Sequence, residues 1–264
     1  MNRPPLPWWI VPLAFAAVAF VAVPMLGLLL RIPWVEVPAL LAAPAARDAL
    51  RLSLATCVAS TAASVTLGLP LALLLSRASG RGMAAVRTLA VLPMVLPPVV
   101  AGLALLTTLG RRGVLGQYLS VLGIEIGFTT LAVIIAQTFV SMPFFVVSVE
   151  AALRTLDSDL EHAAALLGAA PGMVMRRVTV PLLMPAIIGG ATLSFARSLG
   201  EFGATLTFAG SLQGVTRTLP IEIYLQREAD PHVALALSLF IIATAGLLMA
   251  LGAAYTRRVA GRRG

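Results

Sequence analysis

Six apolar runs of 20 residues or more alternate with shorter polar stretches along this chain, at 8–30, 50–76, 88–109, 128–149, 186–208 and 232–255. As a helix, each is long enough to cross about 30 Å of hydrocarbon. None shows the apolar–polar alternation of a strand, so each is predicted to be a helix whose backbone groups are satisfied internally. The chain is therefore expected to be an all-α polytopic membrane protein with about six spans, forming a single transmembrane domain over 1–264. Alanines at 42–46 follow the first run, as they would follow a signal peptide. Its apolar core exceeds the usual length of about 7–15 residues, so the run reads as a span.

The polar stretch between the fourth and fifth spans, within a loop over 150–185, has its own pattern. Residues 157–181 read DSDLEHAAALLGAAPGMVMRRVTVP. Ser158 and Glu161 have capping-box spacing, which starts a helix near Asp159. Gly168 can take the left-handed conformation that closes this helix, and Pro171 suits the first turn of the next. Two short helices in a chain that otherwise lives in lipid point to a docking element for a soluble partner, as against an ordinary connecting loop.

Composition agrees: 59% of the 264 residues are hydrophobic and 11% are charged, against about 25% charged in a soluble domain. With both termini inside the cell, the cytoplasmic side holds 11 arginines and the outer side 7, while Arg197 lies within a span. That bias fits the positive-inside rule and places 157–181 in the cytoplasm. The net charge of +8 is then a matter of topology and anionic lipid. No basic cluster is interleaved with aromatics, so nucleic acid is not an expected partner.

Enzymatic constellations are missing. The sequence has no lysine, which removes both a P-loop and Schiff-base chemistry. The lone Cys57 sits within a span, where a structural thiol is the simpler reading. His162 and His232 fall in different loops without metal-site spacing, so neither a metal nor a cofactor bound by this chain is expected. His232 follows Asp230-Pro231, a cap and first-turn pair for the last span.

The insert resembles the cytoplasmic motif E-A-A-x3-G-x9-I-x-L-P of ATP-binding-cassette importer permeases. His162, Ala163 and Ala164 occupy the E-A-A positions, and Gly168 the glycine. Val178, Val180 and Pro181 stand at the I, L and P positions. His162 replaces the glutamate; Glu161 offers an acidic side chain one residue earlier, on a different helical face. The segments LPMVLPPVVAGLALLTTLGRRGVLG (92–116), SFARSLGEFGATLTFAG (194–210) and TRTLPIEIY (216–224) are similar to the molybdate permease subunits of such importers. The resemblance implies that Asp159, Glu161, His162, Ala163, Ala164, Gly168 and Pro181 serve coupling to an ATPase. It also implies two ATPase subunits that bind ATP and Mg, a periplasmic or lipid-anchored oxyanion-binding protein, and a bacterial cytoplasmic (inner) membrane. A sulfate or thiosulfate permease of the same class and an ion-driven secondary transporter are the alternatives.

Two spans carry candidate pathway residues. In the fifth, Arg197 and Glu201 are four apart, so one helical face can hold both. Either they brace each other, or Arg197 helps a dianion pass while Glu201 limits how tightly it is held. Thr205 and Thr207 offer neutral donors. Small residues from Gly189 to Ala204 make one flank suited to close helix approach, and this flank is expected to meet a second copy of the chain in a homodimer. In the third span, Pro93, Pro97 and Pro98 predict a kink, either at a gate in a pore-lining helix or as a passive bend.

Overall fold

The computed structural model describes residues 7–157 and 159–260; among these the chain is helical throughout, joined by turns. Arg3, Arg262 and Arg263, counted above for orientation, and Ser158, the predicted capping residue, lie outside the described residues. A long helix α1 (Ile10–Leu30) leads through the short α2 (Val37–Ala42) to α3 (Pro44–Arg77). Next come α4 (Arg81–Val91), a 3-10 turn (Leu92–Met94), α5 (Pro98–Leu109) and the short α6 (Gly116–Val121). The long α7 (Thr130–Arg154) precedes α8 (Asp159–Leu166), α9 (Pro171–Val174), a π turn (Met175–Thr179) and α10 (Val180–Leu199). The chain ends with α11 (Gly203–Ala209), α12 (Leu219–Ala229) and α13 (Pro231–Ala260). Five stretches are long and apolar enough to cross a membrane, and the α4–α5 pair makes a sixth.

Prolines and caps set several starts. Pro44, Pro98, Pro171 and Pro231 each open a helix, where a missing N–H costs nothing. Thr129 accepts the Ala132 N–H at 3.3 Å to start α7. Asp230 Oδ1 accepts the His232 N–H at 3.0 Å to start α13, as its spacing predicts.

Two spans differ from the sequence expectation. The third is not kinked but broken: α4 with its 3-10 turn meets α5 at 113°. A residue before proline is pushed out of the α region, and Pro97, preceding Pro98, sits at φ −54°, ψ 133°. The fifth runs from Pro171 to Leu199, so the second short helix of the insert is its first turn, not a separate element. A π turn joins the two. Its Arg177 carbonyl lies four residues before Pro181, whose ring would crowd it in a regular turn. Beyond Leu199 the span is interrupted, and α11 follows as a separate seven-residue helix.

The bundle is built on α3, α7 and α10, which pack side by side. Phe145, Val146 and Val149 of α7 bury Ala72 and Leu75 of α3. Gly68 lies so close to Phe145 that an added Cβ would be 2.7 Å from its ring. A serine seam crosses the same contacts: Ser60 Oγ lies 3.0 Å from Ser198 Oγ, and Ser64 Oγ lies 3.3 Å from Ser141 Oγ. Small hydroxyl residues here allow close approach and satisfy one another away from water. By contrast, α1 is apolar all round and buries none of its residues.

Candidate functional site: a docking loop and two broken spans

The loop before span five is closed by backbone geometry. Gly168 has φ +84°. Its N–H donates to Ala165 O at 2.9 Å, and the Ala169 N–H donates to Ala164 O at 3.1 Å. This is the Schellman pattern, and it needs the left-handed residue. At the other end, Asp157 Oδ1 accepts the Asp159 N–H at 3.0 Å. Between them α8 projects as a knob. Asp159, His162 and Ala163 are exposed, and Leu166 and Leu167 are 88% and 89% exposed. With the half-exposed Leu160, they give a short helix an apolar outer face that its own chain leaves uncovered.

Glu161 sits on the inner side of that knob. Its Oε1 accepts from Arg77 Nη2 at 2.9 Å and from Thr179 Oγ1 at 2.5 Å. Arg77 ends α3, and Thr179 closes the π turn, so one carboxylate ties α8 to two spans. Sequence reasoning named Glu161 but not Arg77 or Thr179, which lie 84 and 18 residues away. Pro181 belongs to the start of α10 and not to the face of α8.

The two broken spans meet. An added Cβ on Gly203 would lie 2.8 Å from Pro98 Cβ; on Gly102 it would lie 2.7 Å from both Ala204 O and Thr207 Cβ. Thus α5 and α11 pack almost backbone to backbone. Arg197 and Glu201 do not share one continuous helix, because Glu201 falls in the interruption. They still pair, Arg197 Nη1 lying 2.6 Å from Glu201 Oε2. Glu201 Oε1 also accepts the Ala204 N–H at 2.8 Å. Thr207 Oγ1 donates to Gly203 O at 2.8 Å, while Thr205 Oγ1 is buried with no partner among the described residues. Nearby, a cavity of about 610 Å³ is lined by Gly200, Phe202, Tyr224 and α13. Its walls are largely apolar, and Arg31 and Arg227 also line it.

The small flank of span five is mostly spent inside its own chain. A Cβ on Gly190 would lie 3.1 Å from the Phe145 ring, and Ser194, Ser198, Gly203 and Ala204 are buried. Much of the flank expected to meet a second copy is thus spent within the chain: Gly190 lies against α7, Ser198 against α3, and Gly203 and Ala204 against α5. Gly189 has open space beside it, and Gly200 is exposed.

One cluster has no counterpart in the sequence reading. Buried Glu150 on α7 takes Arg87 Nη2 at 2.6 Å and Arg154 Nη2 at 2.9 Å, and Arg87 also donates to Leu75 O at 2.9 Å. The i,i+4 spacing of Glu150 and Arg154 was a signal in the sequence; nothing local marked Arg87.

Comparison with known proteins places this geometry. The family model described as binding-protein-dependent transport system inner membrane component matches residues 64–261. The chain is 54% identical over 244 residues to the molybdenum transport system permease protein ModB of Mycobacterium tuberculosis, covering 92% of each chain. It is 43% identical over 162 residues to the protein of the same name from Escherichia coli, covering 61% of this chain and 71% of the relative. Among solved structures, a bacterial ABC transporter involved in the import of the acidic polysaccharide alginate matches with a TM-score of 0.73 at 20% identity. That match covers 95% of this chain and 94% of the other. The MetNI methionine ABC transporter matches with a TM-score of 0.62 at 20% identity, covering 80% and 94%. Identities this low speak for the fold alone.

Proposed function

This chain belongs to the inner membrane component family of binding-protein-dependent transport systems, and from that membership we propose that it is the permease of an ATP-binding-cassette importer for molybdate. It is a multi-pass membrane transport component and not an enzyme. The exposed apolar face of α8, on a knob tied by Glu161 to two spans, carries the coupling half of this reading. The likeness to molybdenum permeases over 92% of both chains supports the substrate.

ATP and Mg belong to two partner ATPase subunits, since a chain without lysine has no P-loop. Each ATPase receives one α8, with Leu160, Ala163, Leu166 and Leu167 in its groove and Asp159 and His162 at the rim. When the ATPases close, α8 moves, and Glu161 passes the displacement to α3 through Arg77 and to span five through Thr179. Span five carries it to α11 and so to α5. The interior between α3, α7 and α10 is filled by side chains, so the passage runs along the surface of this chain, past Arg197, Glu201 and the start of α5. A second copy completes it about a two-fold axis. The unburied apolar α1 suits a place against that copy or lipid. An oxyanion-binding protein delivers the substrate to the outer face, and both termini are cytoplasmic by the arginine bias.

The deciding experiment is uptake of labelled molybdate and sulfate by proteoliposomes that hold the permease, its ATPase and its binding protein. ATP-dependent accumulation of molybdate over sulfate is expected. Preference for sulfate overturns the substrate, and uptake driven by an ion gradient without the ATPase overturns the importer reading.

A further inference from the structure

The Arg197–Glu201 pair is asymmetric in a way that a mutual brace does not require. Glu201 is 1% exposed, and both its oxygens are engaged, one by Arg197 at 2.6 Å and one by the Ala204 N–H at 2.8 Å. The Arg197 side chain is 27% exposed, and Glu201 is its one polar partner among the described residues. A guanidinium carries five donors in a fork that suits tetrahedral oxyanions. Most of that fork is therefore unspent, and its partner Glu201 lies two residues before Gly203, where the two broken spans touch through Pro98. A passage that held a dianion with all of that charge would release it slowly, and conduction needs sites that bind weakly enough to let go.

We propose that Glu201 is a resident counter-anion: it sets the net charge of the pair to zero and so keeps Arg197 from trapping the oxyanion during passage. The inference rests on the permease reading given above and assigns Glu201 a positioning role toward substrate, through Arg197. The Ala204 hydrogen bond matters because it fixes the carboxylate to the backbone, so the counter-charge does not swing away as substrate passes.

The test uses the permease–ATPase complex in lipid nanodiscs without binding protein, and measures molybdate and sulfate binding by equilibrium dialysis. Glu201→Gln is expected to bind oxyanion at least tenfold more tightly than the unaltered complex, and to transport it more slowly in proteoliposomes. Arg197→Gln/Glu201→Gln is expected to lose the extra binding and to recover uptake above the single variant. The idea fails if an assembled Glu201→Gln complex binds no more tightly than the original, or if the double variant binds as tightly as the single. Should Glu201→Gln not assemble, Arg197→Gln takes its place. Without the guanidinium, weaker oxyanion binding than in the unaltered complex is expected, and unchanged binding overturns the proposal. Substrate choice is judged separately: a complex that transports sulfate instead of molybdate revises the function, while the binding comparison still holds with sulfate as probe.

Discussion

At Gly168 nothing lies within 4 Å of the place a Cβ would occupy, whereas at Gly203 a Cβ would sit 2.8 Å from Pro98. Both glycines stand at helix breaks, yet one is required for its backbone angle and the other for its lack of volume. The docking loop is shaped by conformation and by one carboxylate, with its outer face open. The broken spans are shaped by contact, with α5 and α11 pressed together. In the proposed function, the segment that a partner grips has room around it, and the walls beside the passage have none.

Substitutions at the two sites test that contrast, and they rank by their expected effect on the permease itself. Gly203→Val should be the most damaging, costing about 3 kcal/mol through overpacking against Pro98. Thermal unfolding of the purified permease measures it, and a midpoint equal to that of the original would show the close approach to be dispensable. Glu150→Ala should come next, at about 2 kcal/mol, because Arg87 and Arg154 lose the buried carboxylate that they share. The same unfolding assay checks it, with Glu150→Gln expected to retain part of the stability.

Gly168→Val should cost less, about 1 kcal/mol, since the space is open and only the left-handed angle is opposed. Its functional effect should exceed its effect on stability: ATP hydrolysis by the assembled complex continues while uptake falls. Uptake that stays proportional to hydrolysis would remove the loop from the coupling path. The smallest change in the permease is expected for Leu166→Ser with Leu167→Ser, within about 0.5 kcal/mol, because these side chains touch little of their own chain. Co-purification of the ATPase should nonetheless drop at least tenfold. If it does not, α8 is not the grip.

How much of this was visible in the sequence depended on range. Four of the six apolar runs, the Gly168 stop and the Asp230 cap are local, and each has its expected local form. The interruption of span three was half visible: Pro97-Pro98 announced a disturbance, but a kink and a 113° break differ by what surrounds them. The small flank of span five showed that something approaches closely and not which helix. The Ser60–Ser198 contact spans 138 positions, a separation at which a single sequence is mute. For the same reason Glu161 was named without Arg77 and Thr179, and the Glu150 cluster was missed.

The sequence by itself determined that this chain lives in lipid, that a short helix ends at Gly168 before the fifth span, and that no P-loop lysine is present. Those follow from hydropathy, from glycine's freedom at positive φ, and from a lysine that is not there. Only the tertiary structure decided that two spans break at touching points, that Glu161 grips two spans at once, and that Glu201 fastens its charge to the backbone. Each of these depends on distances between remote segments, which are set by how side-chain volumes fill the space between helices.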